Sequence, residues 1–133
     1  TDMTFCISVV ARVSKPTSVL SVGKYSSLFE VFLCVEYDKH TKVKELAVPP
    51  GGKLSMQRHD KRSEHWFVAE GTATVYTLNV SSDVELYGVY EQHKSLHIPV
   101  NTWHQLTNEH DVPLKLVEIQ YGENCIEEDI ERK

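Results

Sequence analysis

An antiparallel all-β sandwich or barrel is the fold class that this 133-residue sequence predicts. Three observations point there. Apolar and polar residues alternate with a period of two through most of the chain, the period of a strand with one buried face. The alternating runs are short and divided by turn-like pieces, "PPGG" (49–52), "NVSSD" (79–83) and "NEHDVP" (108–113). No segment carries a 3.6-residue period over a helical length.

Taken in order, "FCISVVA" (5–11) is too short to span a membrane, has Asp2 before it and Arg12 after it, and reads as a strand rather than a signal peptide. "SKPTSVLSVGKYSS" (14–27) is the most loop-like stretch. "FEVFLCVEY" (29–37) is rich in β-branched and aromatic residues. Strands are then expected at "KVKELAV" (42–48), "HWFVAEG" (65–71), "TATVYTL" (72–78), "VELYGVY" (84–90), "SLHIP" (95–99) and "LKLVEIQY" (114–121). The acidic tail "EEDIERK" (127–133) is expected to form one helical turn or no regular structure. The chain thus divides into an N-terminal strand and loop (1–28), a barrel (29–121) and an acidic C-terminal tail (122–133).

Composition bounds the function. One domain with a real core is the natural reading at this length, with 41% hydrophobic and 25% charged residues. A formal charge of −5 argues against nucleic acid or an anionic membrane as the main partner. A small anionic ligand stays open, because a site can be locally positive. Cys6, Cys34 and Cys125 are far apart, without a C-x-x-C pair, and suggest neither a disulfide framework nor a thiolate zinc site. That pattern fits a reducing compartment, hence the cytoplasm.

Two constellations carry candidate chemistry. In "LSMQRHDKRSEHWFVAEG" (54–71), Gln57 and His59 are two apart, so a strand places both on one face. Glu64 opens the next apolar run in phase with Trp66 and Val68. A hairpin would bring Gln57, His59 and Glu64 together on an inner wall; the alternative is a solvated turn with ordinary charges. In "HIPVNTWHQLTN" (97–108), Pro99 ends a strand, "VNT" reads as a turn and His104 starts a new strand. Alone, His104 reads more readily as a structural histidine than as a ligand. Together the pieces offer nitrogen and oxygen donors converging from separate strands, which is what a divalent cation requires.

These two pieces resemble the paired motifs of the cupin superfamily. Gly51, Gln57, His59, Glu64 and Gly71 fall on the spacing of the first motif, with Gln57 where a histidine is usual. Pro99, Asn101, His104 and Asn108 fall on the second, with Asn101 replacing a glycine. Asn tolerates the left-handed conformation better than most residues, so that replacement is mild. The likeness is closer to type II phosphomannose isomerases. "KVKELAVPPGGKLSMQ", "LSMQRHDKRSEHWFVAEGTATV", "HIPVNTWHQLTN" and "VPLKLVEIQYGENCIEEDI" resemble successive blocks of that family over roughly residues 40 to 130. There the Q-x-H form is normal.

The resemblance implies a double-stranded β-helix, or jelly-roll barrel, with a divalent metal, zinc by family habit and otherwise manganese, iron, cobalt or nickel. It implies Gln57, His59, Glu64 and His104 as ligands and Arg62 as the catalytic arginine that stabilises charge or orients a sugar hydroxyl. It implies interconversion of mannose 6-phosphate and fructose 6-phosphate through a cis-enediolate, with a small sugar phosphate as partner. His65 is expected to face away from the site, and the proton carrier is unassigned. Lys53, Arg58 and Lys61 are basic and nearby, with surface solvation as their expected role. Trp66 and Trp103 are expected in the core or the pocket wall.

Three departures shape the expectation. The family's usual nucleotidyltransferase domain has no counterpart here, so the resemblance implies at most the isomerase half. The family's R-P-W-G opening segment gives way to "VGKYSSLFEV", and its closing Y-G-R segment is absent. Residues 76–95 run about five residues long, which suggests a longer hairpin. Two alternatives follow: a non-catalytic metal- and sugar-binding cupin working with a separate nucleotidyltransferase, or another cupin enzyme such as a non-haem iron oxygenase on His59, Glu64 and His104. Residues 5–12 offer an edge strand for a homodimer.

Overall fold

The computed structural model describes residues 9–11, 18–20, 23–26 and 29–133, with side chains from residue 36 onward. Thirteen strands run along these residues, and no helix occurs among them. They are β1 (Val9–Ala11), β2 (Ser18–Leu20), β3 (Gly23–Ser26), β4 (Phe29–Asp38), β5 (Thr41–Val48), β6 (Gln57–Arg58), β7 (Arg62–Glu70), β8 (Ala73–Leu78), β9 (Val84–Tyr90), β10 (Ser95–Ile98), β11 (Gln105–Thr107), β12 (Leu114–Gly122) and β13 (Glu131–Arg132). The expected strands from residue 29 to 121 are all present to within a few residues. The expected strand 5–11 is described only over 9–11; residues 5–8, and with them most of the dimerisation strand 5–12, lie outside the described residues.

A six-stranded antiparallel sheet in the order β10-β7-β12-β5-β4-β3 faces a three-stranded one in the order β11-β8-β9. From β7 onward the chain winds between the two, with β10 and β12 in the large sheet and β8, β9 and β11 in the small one. That alternation is the jelly-roll path. The loop expected over 14–27 instead contains β2 and β3, and β3 extends the large sheet by pairing with β4. "SVL" and "GKYS" are too short to show a period of their own, which is why the sequence reads there as loop.

The core lies between the sheets. Leu46, Val48, Trp66, Val68, Ala73, Val75, Leu96, Ile98, Leu106, Leu114 and Leu116 form one buried cluster drawn from six strands. Burial of each large aliphatic side chain contributes about 1.5–3 kcal/mol. The same inward faces turn polar towards one end. On β5 the buried residues run Lys42, Lys44, Leu46, Val48; on β12 they run Leu114, Leu116, Glu118, Gln120; on β7 they run Arg62, Glu64, Trp66, Val68. The antiparallel register stacks like with like: Gln120 opposes Lys42 and Glu64, Glu118 opposes Lys44 and Trp66, and Leu116 opposes Leu46 and Val68. One end of the barrel is therefore apolar and the other is lined with charges.

The tail closes the polar end. Its expected helical turn is replaced by β13, which pairs with β6. The Asp129 carboxylate accepts from the backbone N–H groups of Asp60 (3.0 Å) and Lys61 (2.9 Å), and Glu127 pairs with Lys44 (2.6 Å) and Lys42 (3.3 Å). Buried lysines need such a partner, because removing an ammonium from water costs far more than an apolar contact returns.

Candidate metal centre

The site is assembled by backbone contacts between the two motifs. Gln57 and His104 exchange N–H···O bonds of 2.9 Å in each direction, and the Asn101 N–H donates to the His59 carbonyl at 2.7 Å. Asn101 has φ 58, the left-handed conformation for which the usual residue is glycine, so the replacement read from the sequence is accommodated as expected. Asn108 is structural. It is buried, and its side-chain amide donates to Val48 O (3.0 Å) and Val112 O (2.8 Å), tying two loops together.

Pairing differs from expectation in one respect. β6 and β7 do not form a hairpin; β6 pairs with β13, and the intervening turn is held by Asp129. The inner wall is reached all the same. His59, Glu64 and His104 are buried, and one ligand atom from each lies within 4.8 Å of the others. Arg62 joins them: its Nε donates to Glu64 Oε1 (3.2 Å), its Nη1 to Ile126 O (3.1 Å) and its Nη2 to His59 Nε2 (3.3 Å). Gln57 lines the same cavity, and its side-chain amide donates to Ser55 O at 3.4 Å.

Both imidazoles are set by carbonyl groups. His59 Nδ1 lies 2.7 Å from Asp129 O and His104 Nδ1 lies 2.8 Å from Thr102 O. A carbonyl can only accept, so each Nδ1 carries the proton. In the neutral ring this leaves the Nε2 lone pair facing inward. Those atoms lie 3.1 Å (His59) and 3.7 Å (His104) from the Glu64 carboxylate, which also accepts from Trp66 Nε1 at 2.9 Å.

Charge states follow from burial and neighbours. Burial pushes the Glu64 carboxyl upward, but His59, His104 and Arg62 beside it outweigh burial and hold it well below the usual carboxylate range. Burial lowers His104 and, despite Glu64, keeps the ring neutral to lower pH than an exposed imidazole. Glu127 resists its burial through Lys44, Lys42 and Arg62, and stays ionised. Glu118 behaves oppositely. Burial first, and then the charge of Glu64, push it up to about 7, against the pull of Lys44 and Arg62.

Most of the other sequence expectations are met; those for Trp103 and for Arg58 are not, since Arg58 is half-buried and pairs with Glu131 rather than standing in solvent. His65 is exposed and faces away, Trp66 is in the core, and Lys53 and Lys61 are exposed. Trp103 lines neither core nor cavity; Arg58 covers its ring at 4.8 Å and Lys133 approaches it at 5.8 Å. Lys44, Glu118, Gln120 and Glu127 were missed, and all four line the cavity. A signal for three of them exists: in "KVKELAV" and "LKLVEIQY" the charged or amide residues fall in phase with buried leucines. The cavity holds about 30 Å³ of free space, and the tail residues Glu127, Ile130 and Arg132 form part of its wall.

A jelly-roll barrel with a buried imidazole–carboxylate cluster at its polar end defines a cupin. Among solved structures, the oxalate decarboxylase of Lactobacillus farciminis overlays 90% of this chain and 36% of its own at a TM-score of 0.70 and 18% identity. A cupin-superfamily sugar phosphate isomerase from Silicibacter pomeroyi overlays 70% of this chain and 59% of its own at a TM-score of 0.57 and 16% identity. At those identities the likeness shows the fold alone. The particular family is given by sequence: the family model described as mannose-6-phosphate isomerase C-terminal matches residues 8–133, and the chain belongs to that family. The mannose-1-phosphate guanylyltransferase of Escherichia coli is 36% identical over 110 residues, 83% of this chain and 20% of that protein. The chain spans about a fifth of the curated relatives it matches. Among the described residues, no helix is long and apolar enough to cross a membrane.

Proposed function

We propose that this domain is a metal-dependent aldose–ketose isomerase interconverting mannose 6-phosphate and fructose 6-phosphate, acting in the cytoplasm. The observation that carries the reading is the pair of carbonyl-oriented imidazoles whose Nε2 atoms face the Glu64 carboxylate inside the barrel of a mannose-6-phosphate isomerase C-terminal family member. His59, Glu64 and His104, with the Gln57 amide oxygen as a fourth donor, fit a divalent cation. Such a nitrogen–oxygen set suits zinc, and also manganese, iron, cobalt or nickel. Orientation of each ring through its Nδ1–H is the arrangement that supports a metal-ligating histidine.

A bound cation supplies Lewis acidity to adjacent sugar oxygens. The protein's own residues supply the rest. Arg62 is buried, and although burial alone would lower its affinity for the proton, Glu64, Glu118 and Glu127 raise it, so the guanidinium stays charged. It is pinned by Glu64 and Ile126 O, which leaves a fixed positive group to stabilise the negative charge of an enediolate. Pockets for small organic ligands are typically about 300–1,000 Å³, whereas the free space here is about 30 Å³.

A second reading is a metal- and sugar-binding module that works beside a separate nucleotidyltransferase; the likeness to a mannose-1-phosphate guanylyltransferase favours it. An isomerase assay with added zinc, manganese, cobalt or iron on wild type and His104→Ala separates the two. Metal-dependent turnover of mannose 6-phosphate, lost in the variant, is the expected result. Metal binding without turnover supports the module, and oxygen uptake with a small organic acid sinks both.

A further inference from the structure

We propose that Glu118 carries the proton of the isomerisation, taking it from C2 of open-chain mannose 6-phosphate and returning it at C1. The assignment rests on the isomerase reading and goes beyond it, since moving a proton between adjacent carbons requires a base that faces the substrate and is not otherwise engaged.

Elimination along the cavity wall leads to this residue. Among the described residues three carboxylates line the cavity: Glu64, Glu118 and Glu127. Glu64 is engaged by Arg62 and Trp66 and lies 3.1 Å from His59. Glu127 is locked to Lys44 and Lys42, which also removes Lys44 as a base. The two site imidazoles have their Nδ1 atoms tied to carbonyl groups and their Nε2 atoms turned to Glu64. Glu118 is 6% exposed, stands on β12 opposite Lys44 and Trp66, and is held at Oε1 by the neutral Gln120 amide at 2.6 Å. A neutral donor orients a carboxylate without fixing it as a charged partner would. The charged groups that face it are Lys44 from β5, Arg62 and Glu64 from β7 and Glu127 from the tail.

The step balances without a co-reactant. The C2–H bond breaks and the proton goes to Glu118. Its electron pair forms the C1=C2 bond, and the C1=O π pair moves to O1. The O2 hydroxyl proton passes to O1. The C2=O2 bond then forms as the C1=C2 pair takes the proton back from Glu118 at C1. C2 is oxidised and C1 reduced by the same electron pair, and Glu118 ends as the carboxylate it began as.

The test uses the full chain loaded with metal and mannose 6-phosphate deuterated at C2, followed by NMR in ordinary water. Wild type is expected to turn over and to release deuterium to solvent. Glu118→Gln is expected to lose about 10²–10⁴-fold in both turnover and label release, with metal stoichiometry and affinity unchanged. Glu118→Asp keeps the acid and should retain measurable label release at reduced kcat. Turnover in Glu118→Gln within an order of magnitude of wild type overturns the assignment of Glu118 alone. A metal-loaded wild type that neither turns over nor exchanges overturns the isomerase reading, and this assignment with it.

Discussion

Gly51 and Gly71 form a matched pair in which the cost of a left-handed backbone and the cost of a blocked space can be measured separately. Both have a positive φ, +77 at Gly51 and +84 at Gly71. A Cβ at Gly51 would meet nothing within 4 Å, whereas one at Gly71 would stand 2.4 Å from Pro113 O and 3.1 Å from the Leu114 Cα. An L-residue in the left-handed region costs about 1–2 kcal/mol, and alanine restores about 0.4–1 kcal/mol by restricting the unfolded chain. Gly51→Ala should therefore lose about 1 kcal/mol or less. At Gly71 the obstruction is backbone, which cannot swing aside, so the start of β12 must shift. Forcing atoms into packed space costs a further 1–3 kcal/mol or so, which places Gly71→Ala about 2–4 kcal/mol below wild type. Urea denaturation with unchanged m-values reads both numbers. Equal losses in the two variants, within about 0.5 kcal/mol, would refute the claim that the close approach of β12 is what requires glycine at position 71.

Other outcomes follow from the charged end of the barrel. Glu118 binds its proton to about 7 in the fold against an ordinary value of 4.5, so the folded state holds more protons between those values. Stability is then full below the lower value, falls as pH rises through the window, and is flat above it, by up to about 3 kcal/mol. In metal-free protein the difference in urea midpoint between wild type and Glu118→Gln should follow this slope, and a difference that stays constant with pH contradicts the assignment to Glu118. Asp129→Ala leaves the Asp60 and Lys61 N–H groups without their acceptor. It should cost about 1–2 kcal/mol and make the tail a faster target for limited proteolysis, while cleavage at the wild-type rate would show that the carboxylate is not what holds the tail. Leu116→Ala empties a fully buried site between Leu46 and Val68, with an expected loss of about 2–5 kcal/mol in thermal or chemical unfolding.

The sheet strands and most of the site were legible because both rest on periodicity. A strand with one buried face writes itself as alternation, and "KVKELAV" or "HWFVAEG" can be read with no knowledge of partners. His59, Glu64 and His104 stood out because donor residues at strand ends fall on a recognisable spacing. The tail was not legible. "EEDIERK" has a helix-like composition, and what decides its conformation is pairing with Gln57 and Arg58, more than 70 positions earlier. Long-range pairing leaves no local pattern. Glu118 and Lys44 were hidden for another reason: in a strand, a charged residue ordinarily marks the solvent face. Here Leu46 and Leu116, two positions away on the same face, show that the charge points inward.

The hydrogen bond from His59 to the Asp129 carbonyl joins residues 70 positions apart. Synthesis delivers the N-terminal part of a chain first, at about 5–20 residues per second. A nascent chain that has released His59 and Glu64 from the ribosome still lacks the acceptor that sets the His59 tautomer, and lacks Glu127, which neutralises Lys44. The barrel strands from β4 to β12 can pair before either arrives. Maturation of the polar end is thus a separate and later event than formation of the hydrophobic core, and a ribosome-stalled chain ending before residue 126 would present the same strands around an unfinished centre.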